Sequence, residues 1–142
     1  MTAEMILFPV LLYLAIVDIR KRKILLPVPI IGTTVILCVH YLCEKKVICF
    51  LIPALFFCVF FLLVSKWTHD QIGSGDALVL GMTGACFGFV KNIYLLYCSF
   101  FLAFLYGIFF IIWKKREGCH VMPFLPFVFL SAAAVFLGDI YL

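Results

Sequence analysis

Long apolar stretches fill most of this chain, and short polar stretches separate them. A helix that crosses a bilayer needs roughly 20 mostly apolar residues, and six stretches come near that length. Because lipid leaves the backbone of an isolated strand unsatisfied, all six are predicted to be helices. The six stretches are residues 5–19, 26–42, 47–64, 77–90, 93–113 and 121–142.

The composition agrees with a membrane environment. Of the 142 residues, 67% are hydrophobic and only 13% are charged, which is far from the composition of a soluble domain. No polar connection is long enough to fold by itself. The chain is therefore predicted to be an all-α integral membrane protein, a bundle of about six transmembrane helices that forms a single domain over residues 1–142. The N-terminus lacks the basic segment of a signal peptide, so the first stretch is expected to remain as a span.

The basic residues predict the orientation of the bundle, because Lys and Arg favour cytoplasmic loops. Placing the N-terminus and the C-terminus outside leaves eight basic residues inside and three outside. The net charge of +4 then belongs to short loops at the lipid surface, so lipid is an expected partner and nucleic acid is not. The eight inside are Arg20, Lys21, Arg22, Lys23, Lys66, Lys114, Lys115 and Arg116.

Neither a metal nor an organic cofactor is predicted. The seven cysteines contain no CxxC pair, and most lie within apolar stretches, where free cysteine behaves as a small buried hydrophobe. Hard cations need several oxygen ligands, and too few acidic residues lie near any one position.

Four acidic residues lie at the ends of predicted spans, where a carboxyl group is a functional candidate. The predicted topology puts Asp18 and Asp76 at the cytoplasmic edge and Glu4 and Asp139 at the opposite edge. Two carboxyl groups at a partly dry site hold one proton between them, as in aspartic proteases. The ionised group takes a proton from water while the protonated group polarises the scissile carbonyl. The alternative is that both are solvated acids at helix ends.

The residues before Asp76 favour a site. Gly73 and Gly75 lie just before the fourth stretch, where the absence of side chains allows unusual backbone angles and close approach by another chain. An acid at a helix N-terminus is also an ordinary capping residue.

Three motifs occur in a specific order along the chain. Asp18 precedes the first basic stretch, Gly73-Ser74-Gly75-Asp76 opens the fourth span, and residues 122–127 open the sixth with the sequence MPFLPF. In this combination, over essentially the whole chain, the sequence resembles the type IV prepilin peptidases, which are membrane aspartic proteases with a GxGD motif.

The resemblance implies an aspartic endopeptidase of the prokaryotic plasma membrane. Such an enzyme removes the short basic leader from prepilins or pseudopilins at the cytoplasmic face, before pilus assembly or secretion. It implies Asp18 and Asp76 as the catalytic pair, and it leaves the oligomeric state open. The residues expected to shape the site or contact substrate are Gly73, Ser74, Gly75, Pro123 and Pro126. The two prolines also fit an ordinary helix start.

The sequence departs from the family pattern at several positions. Leu25 follows Ile24 where family members commonly have proline, and Leu78 stands where they often have lysine. A catalytically inactive relative that binds prepilins or serves as an assembly subunit is therefore the alternative. Only residues 20–25 separate the first two spans, so no methyltransferase domain is expected. That matches the short, peptidase-only forms of tight-adherence pilus and preflagellin systems.

Overall fold

The computed structural model describes residues 2–21, 26–44, 47–68, 73–114 and 123–141. The departure at Ile24 and Leu25 lies outside these residues, as do Met122 and part of the basic stretches. The statements below concern the described residues.

The described chain is helical apart from a few residues next to the helix ends and contains no strand, which confirms the predicted all-α class. The helices are α1 (Thr2–Lys21), α2 (Pro27–Glu44), α3 (Val47–Trp67), α4 (Ser74–Lys114) and α5 (Leu125–Tyr141). Their starts follow from local chemistry. Pro27 suits the first turn of α2 because its missing N–H would have no partner there. At the start of α4, the backbone N–H of Asp76 donates to the carbonyl of Gly73 over 3.0 Å.

Helix α4 contains both the fourth and the fifth predicted spans and is broken inside. Gly88 has φ 76° and ψ −173°, a backbone conformation that is nearly restricted to glycine. The side-chain amide of Asn92 donates to the carbonyl of Leu80 over 3.2 Å. In a straight helix these two residues would lie about 18 Å apart along the axis. The chain therefore bends sharply at Gly88.

The contacts of α4 show that it folds back on itself. A Cβ added at Gly84 would lie 3.2 Å from the Asn92 amide nitrogen. Leu80 and Leu96 share one buried cluster, against which Phe124 also packs, and the Phe124 ring lies 5.3 Å from that of Phe100. Residues before Gly88 thus contact residues after it, and the pairs that lie farther from Gly88 in the sequence still meet, as in an antiparallel helical hairpin. We call residues 74–87 the first arm of α4 and residues 89–114 its second arm.

The chain reverses at a different position from the predicted connection between the fourth and fifth spans. The polar pair Lys91–Asn92 was expected to separate the fourth and fifth spans, and this was wrong. Helix continues through both residues, and Asn92 is fully buried because its side chain bonds back to the first arm. A polar residue marks a connection only when water rather than protein satisfies it.

The first arm of α4 packs closely against α3. A Cβ at Gly81 would lie 3.1 Å from the carbonyl oxygen of Ala54, and one at Gly84 would lie 3.2 Å from that of Pro53. Small residues let helices approach at this distance, as is common where helices pack inside membranes. A larger core then joins the first arm to α1, α2 and α5.

In the part of the chain that the structure describes, two helices are long and apolar enough to cross a membrane by length and composition, namely α3 and residues 74–110 of α4. The surface of the second arm is strongly apolar, since Tyr97 is 71% exposed and Phe104 is 64% exposed. Contiguous apolar exposure of this kind is typical of a lipid or protein contact surface. The six described cysteines are all free thiols.

Replacing Gly88 with alanine tests the reversal. Forcing a Cβ into this conformation is expected to cost about 1–3 kcal/mol, so the thermal unfolding temperature in detergent should fall. Gly138→Ala is the matched control, because a Cβ there meets no described atom within 4 Å. Equal unfolding temperatures for the two variants would contradict a chain reversal at Gly88.

Candidate active site

Asp18 lies on the buried face of α1. Leu7, Leu11 and Leu14 precede it at helical spacing and are at most 1% exposed, and Asp18 itself is only 8% exposed. The alternative of a solvated acid at a helix end therefore does not describe this residue. A buried carboxylate costs free energy unless hydrogen bonds compensate it.

The start of α5 supplies that compensation. The backbone N–H of Leu125 donates to Oδ2 of Asp18 over 3.2 Å. The backbone N–H of Phe124 is also hydrogen-bonded to this carboxyl group. The N-terminus of a helix carries free N–H groups and partial positive charge, both of which favour a negative group.

The two predicted site prolines flank these amides. Pro123 and Pro126 have no backbone N–H, so Phe124 and Leu125 provide the free donors at this helix end. The N–H groups of Phe127 and Val128 both donate to the Phe124 carbonyl and close the first turn. The prolines therefore restrict which donors face Asp18, and neither needs to contact substrate to do so.

Asp76 lies in the first turn of α4 and is partly buried. A Cβ added at Gly73 would lie only 3.3 Å from its Oδ2 atom, so the missing side chain makes room for this carboxyl group. Gly75 is buried and helical rather than unusual in its backbone, and Ser74 is exposed. The space at Gly73 is occupied by the carboxyl group of Asp76 of the same chain, so close approach by another chain stays a prediction. The expectation of unusual backbone angles is wrong for Gly75.

The carboxyl groups of Asp18 and Asp76 lie close enough to interact electrostatically, although the two residues are far apart in the sequence. Ala77 and Leu80, which follow Asp76 in the first arm, pack with Phe57 and Phe61, and Phe124 packs against this cluster. An apolar surround strengthens the interaction between the two groups. Within the described chain, no group of three or more His, Cys, Asp or Glu residues is placed to hold a metal ion.

A comparison with protein families agrees with this geometry. A sequence model of the type IV leader peptidase family matches residues 5–112, which include most of α1 with Asp18, the Gly73–Asp76 motif and almost all of α4. The chain belongs to the type IV leader peptidase family. Comparisons with curated proteins and with solved structures found no match. In this chain, the α5 contacts to Asp18 come from residues beyond the matched range.

Sequence reasoning missed two features of the candidate site. The amides of Phe124 and Leu125 act through the backbone, and a backbone donor has no residue-type signature. The signal that could have found them is the spacing of Pro123 and Pro126, which leaves two N–H groups between two residues that have none.

The third acid at a span edge, Glu4, interacts electrostatically with Cys86 at the other end of the first arm and is not part of the site.

Gly73→Ala tests the space beside Asp76. The added Cβ would push the carboxyl group by a few tenths of an ångström, and misplacement of a reacting group costs rate steeply. We expect leader cleavage to fall by roughly tenfold while the thermal unfolding temperature stays unchanged. The matched control is again Gly138→Ala, which should cleave like the wild type. Full activity in Gly73→Ala would show that this space is not needed.

Proposed function

We propose that this protein is a membrane aspartic endopeptidase that removes the short basic leader from type IV prepilins or pilin-like proteins. The observation that carries the proposal is the meeting of Asp18 and Asp76 at one end of the helical bundle. Membership of the type IV leader peptidase family supports the reaction class.

In the proposed reaction, the pair holds one proton and no covalent intermediate forms. The ionised carboxylate takes a proton from a water molecule as that water attacks the scissile carbonyl carbon. The protonated carboxyl group donates its hydrogen to the carbonyl oxygen as negative charge develops there. Collapse of the tetrahedral intermediate breaks the C–N bond, and the leaving amine receives a proton from the pair.

We further propose that the two arms of α4 are separate spans, which with α1, α2, α3 and α5 gives six. The C-terminal end of α1 and the starts of α4 and α5 meet at the site, which supports placing these three ends on one side of the membrane. The predominance of basic residues on that side favours the cytoplasm. A substrate whose basic leader stays in the cytoplasm would present its cleavage site at this edge.

The second candidate is an inactive relative that binds prepilins or serves in assembly. Leu78 favours it, because this partly buried residue lies two positions after Asp76 where family members often have lysine. A missing neighbouring cation alters the proton affinity of a carboxyl pair. The two candidates differ in one respect: only the peptidase needs both carboxyl groups.

Substitution of each aspartate tests the peptidase. Asp18→Ala and Asp76→Ala should each reduce cleavage of a co-expressed prepilin by at least about a thousandfold, because each removes one half of the acid–base pair. Cleavage is read as a mobility shift of the pilin. Glu4→Gln, at the other end of the bundle, is the matched control and should cleave normally. Retained cleavage in either alanine variant, with folded protein in the membrane, would contradict the aspartate pair. No cleavage by the folded wild-type protein would support the inactive relative.

Substrate capture gives a second test. Leader and enzyme are both basic on the cytoplasmic side, so we expect the apolar segment after the cleavage site to supply most of the binding energy by packing against the helices. Polar substitutions in that segment should slow processing more than Asp70→Asn in the enzyme does. Asp70 lies outside the described residues. The opposite ranking, measured as initial rates, would assign capture to charge.

A further inference from the structure

The two carboxyl groups of the site have different hydrogen-bond environments. Asp18 accepts hydrogen bonds from the backbone N–H groups of Leu125 and Phe124. Among the described residues, none donates a hydrogen bond to the carboxyl group of Asp76, whose interactions are burial and the charge of Asp18. Within the described chain, the hydrogen bonding of the pair is therefore asymmetric.

We propose that the amides at the start of α5 hold Asp18 in its ionised form and leave the shared proton on Asp76. Asp18 is then the base that takes a proton from the attacking water, and Asp76 is the acid that donates to the scissile carbonyl oxygen. Phe124 and Leu125 are positioning residues, since they act through Asp18. The assignment rests on the proposed peptidase function and adds the roles within its pair.

The physical basis is the chemistry of a carboxylate at a helix N-terminus. An N–H group can donate to an ionised carboxylate but gains less from a neutral acid, so two such donors favour the charged form. Pro123 and Pro126 strengthen the arrangement by restricting the free donors to the two that face Asp18. Asp18 is only 8% exposed, so its charge depends on these donors.

Other charged groups in the described chain do not supply this asymmetry. On α1, Arg20 is exposed two residues beyond Asp18, and on α3, Lys66 is exposed near the end of the helix. Helix α4 contributes Asp76 at the site, and Lys91 lies beyond the reversal. The first turn of α5, which contacts Asp18, holds no acidic residue. The titratable residues of α2, such as His40, lie in the second half of that helix. The acid that interacts with Asp18 is thus Asp76.

A pair of variants at Leu125 isolates the hydrogen bond. Leu125 is 1% exposed, so Leu125→Ala and Leu125→Pro both lose its core packing. Only the proline variant also loses the N–H, and proline is well tolerated at the first position of a helix. The measurement is the pH dependence of prepilin cleavage by the full-length protein in detergent or lipid, with the thermal unfolding temperature of both variants recorded.

The expected result is a displaced acid limb in the proline variant. Without the donor, ionised Asp18 is less stable and binds a proton at higher pH, so the base is lost earlier as the pH falls. The acid limb of Leu125→Pro should therefore lie about one pH unit above that of Leu125→Ala. Coincident acid limbs, or a shift confined to the alkaline limb, would overturn the assignment.

A direct measurement covers the case in which Leu125→Pro does not fold or cleave. Protein labelled with ¹³C at the aspartate carboxyl carbons gives separate NMR signals for ionised and protonated groups, assigned with Asp18→Asn and Asp76→Asn. At mildly acidic pH we expect an ionised Asp18 and a protonated Asp76, and the reverse or an equal state would overturn the assignment. Absence of cleavage by the wild type would instead contradict the proposed function, and the NMR result would still report the protonation states.

Discussion

The reversal of α4 at Gly88 is the constraint on which the rest of the structure depends. As a straight helix, its 41 residues would extend about 60 Å, roughly twice the apolar thickness of a bilayer. Folding back at one glycine divides this length into two arms of about 21 Å and about 39 Å. It also sets the first arm against α3 through Gly81 and Gly84 and leaves Asp76 at the free end of the hairpin. The side chain of Asn92 then ties the two arms together by its bond to Leu80.

The site forms where three helices present their ends to one another. Asp18 comes from the last turns of α1, Asp76 from the first turn of α4, and two backbone amides from the start of α5. Each of these helices is held by a core that is distant in sequence from the site, because the buried leucines of α1 and Val128 of α5 belong to one cluster. Packing in the middle of the bundle thus sets the distance between the two carboxyl groups at its edge.

Much of this could be predicted from sequence, because membrane helices follow local apolar composition. The starts of α2 and α3 lie within one residue of the predicted boundaries, and Asp18 and Asp76 were identified from span direction and the Gly73–Asp76 motif. The position of the reversal could not be predicted, because Lys91 and Asn92 have the polarity of a connection, whereas Gly88 shows its role only through its backbone angles. The burial of Asp18 likewise depends on α5, which contacts it only after the whole chain has folded.

The central claim, that Asp18 and Asp76 meet at one end of the bundle, is tested most directly by chemical cross-linking. Asp18→Cys and Asp76→Cys would be combined in a chain whose seven native cysteines are replaced, and treated with a short thiol-specific cross-linker. The control pair combines Asp18→Cys with Glu4→Cys, which lie at opposite ends of α1. The structure predicts efficient intramolecular cross-linking of the first pair and none of the second. Equal cross-linking of the two pairs, or none in a folded first pair, would contradict it.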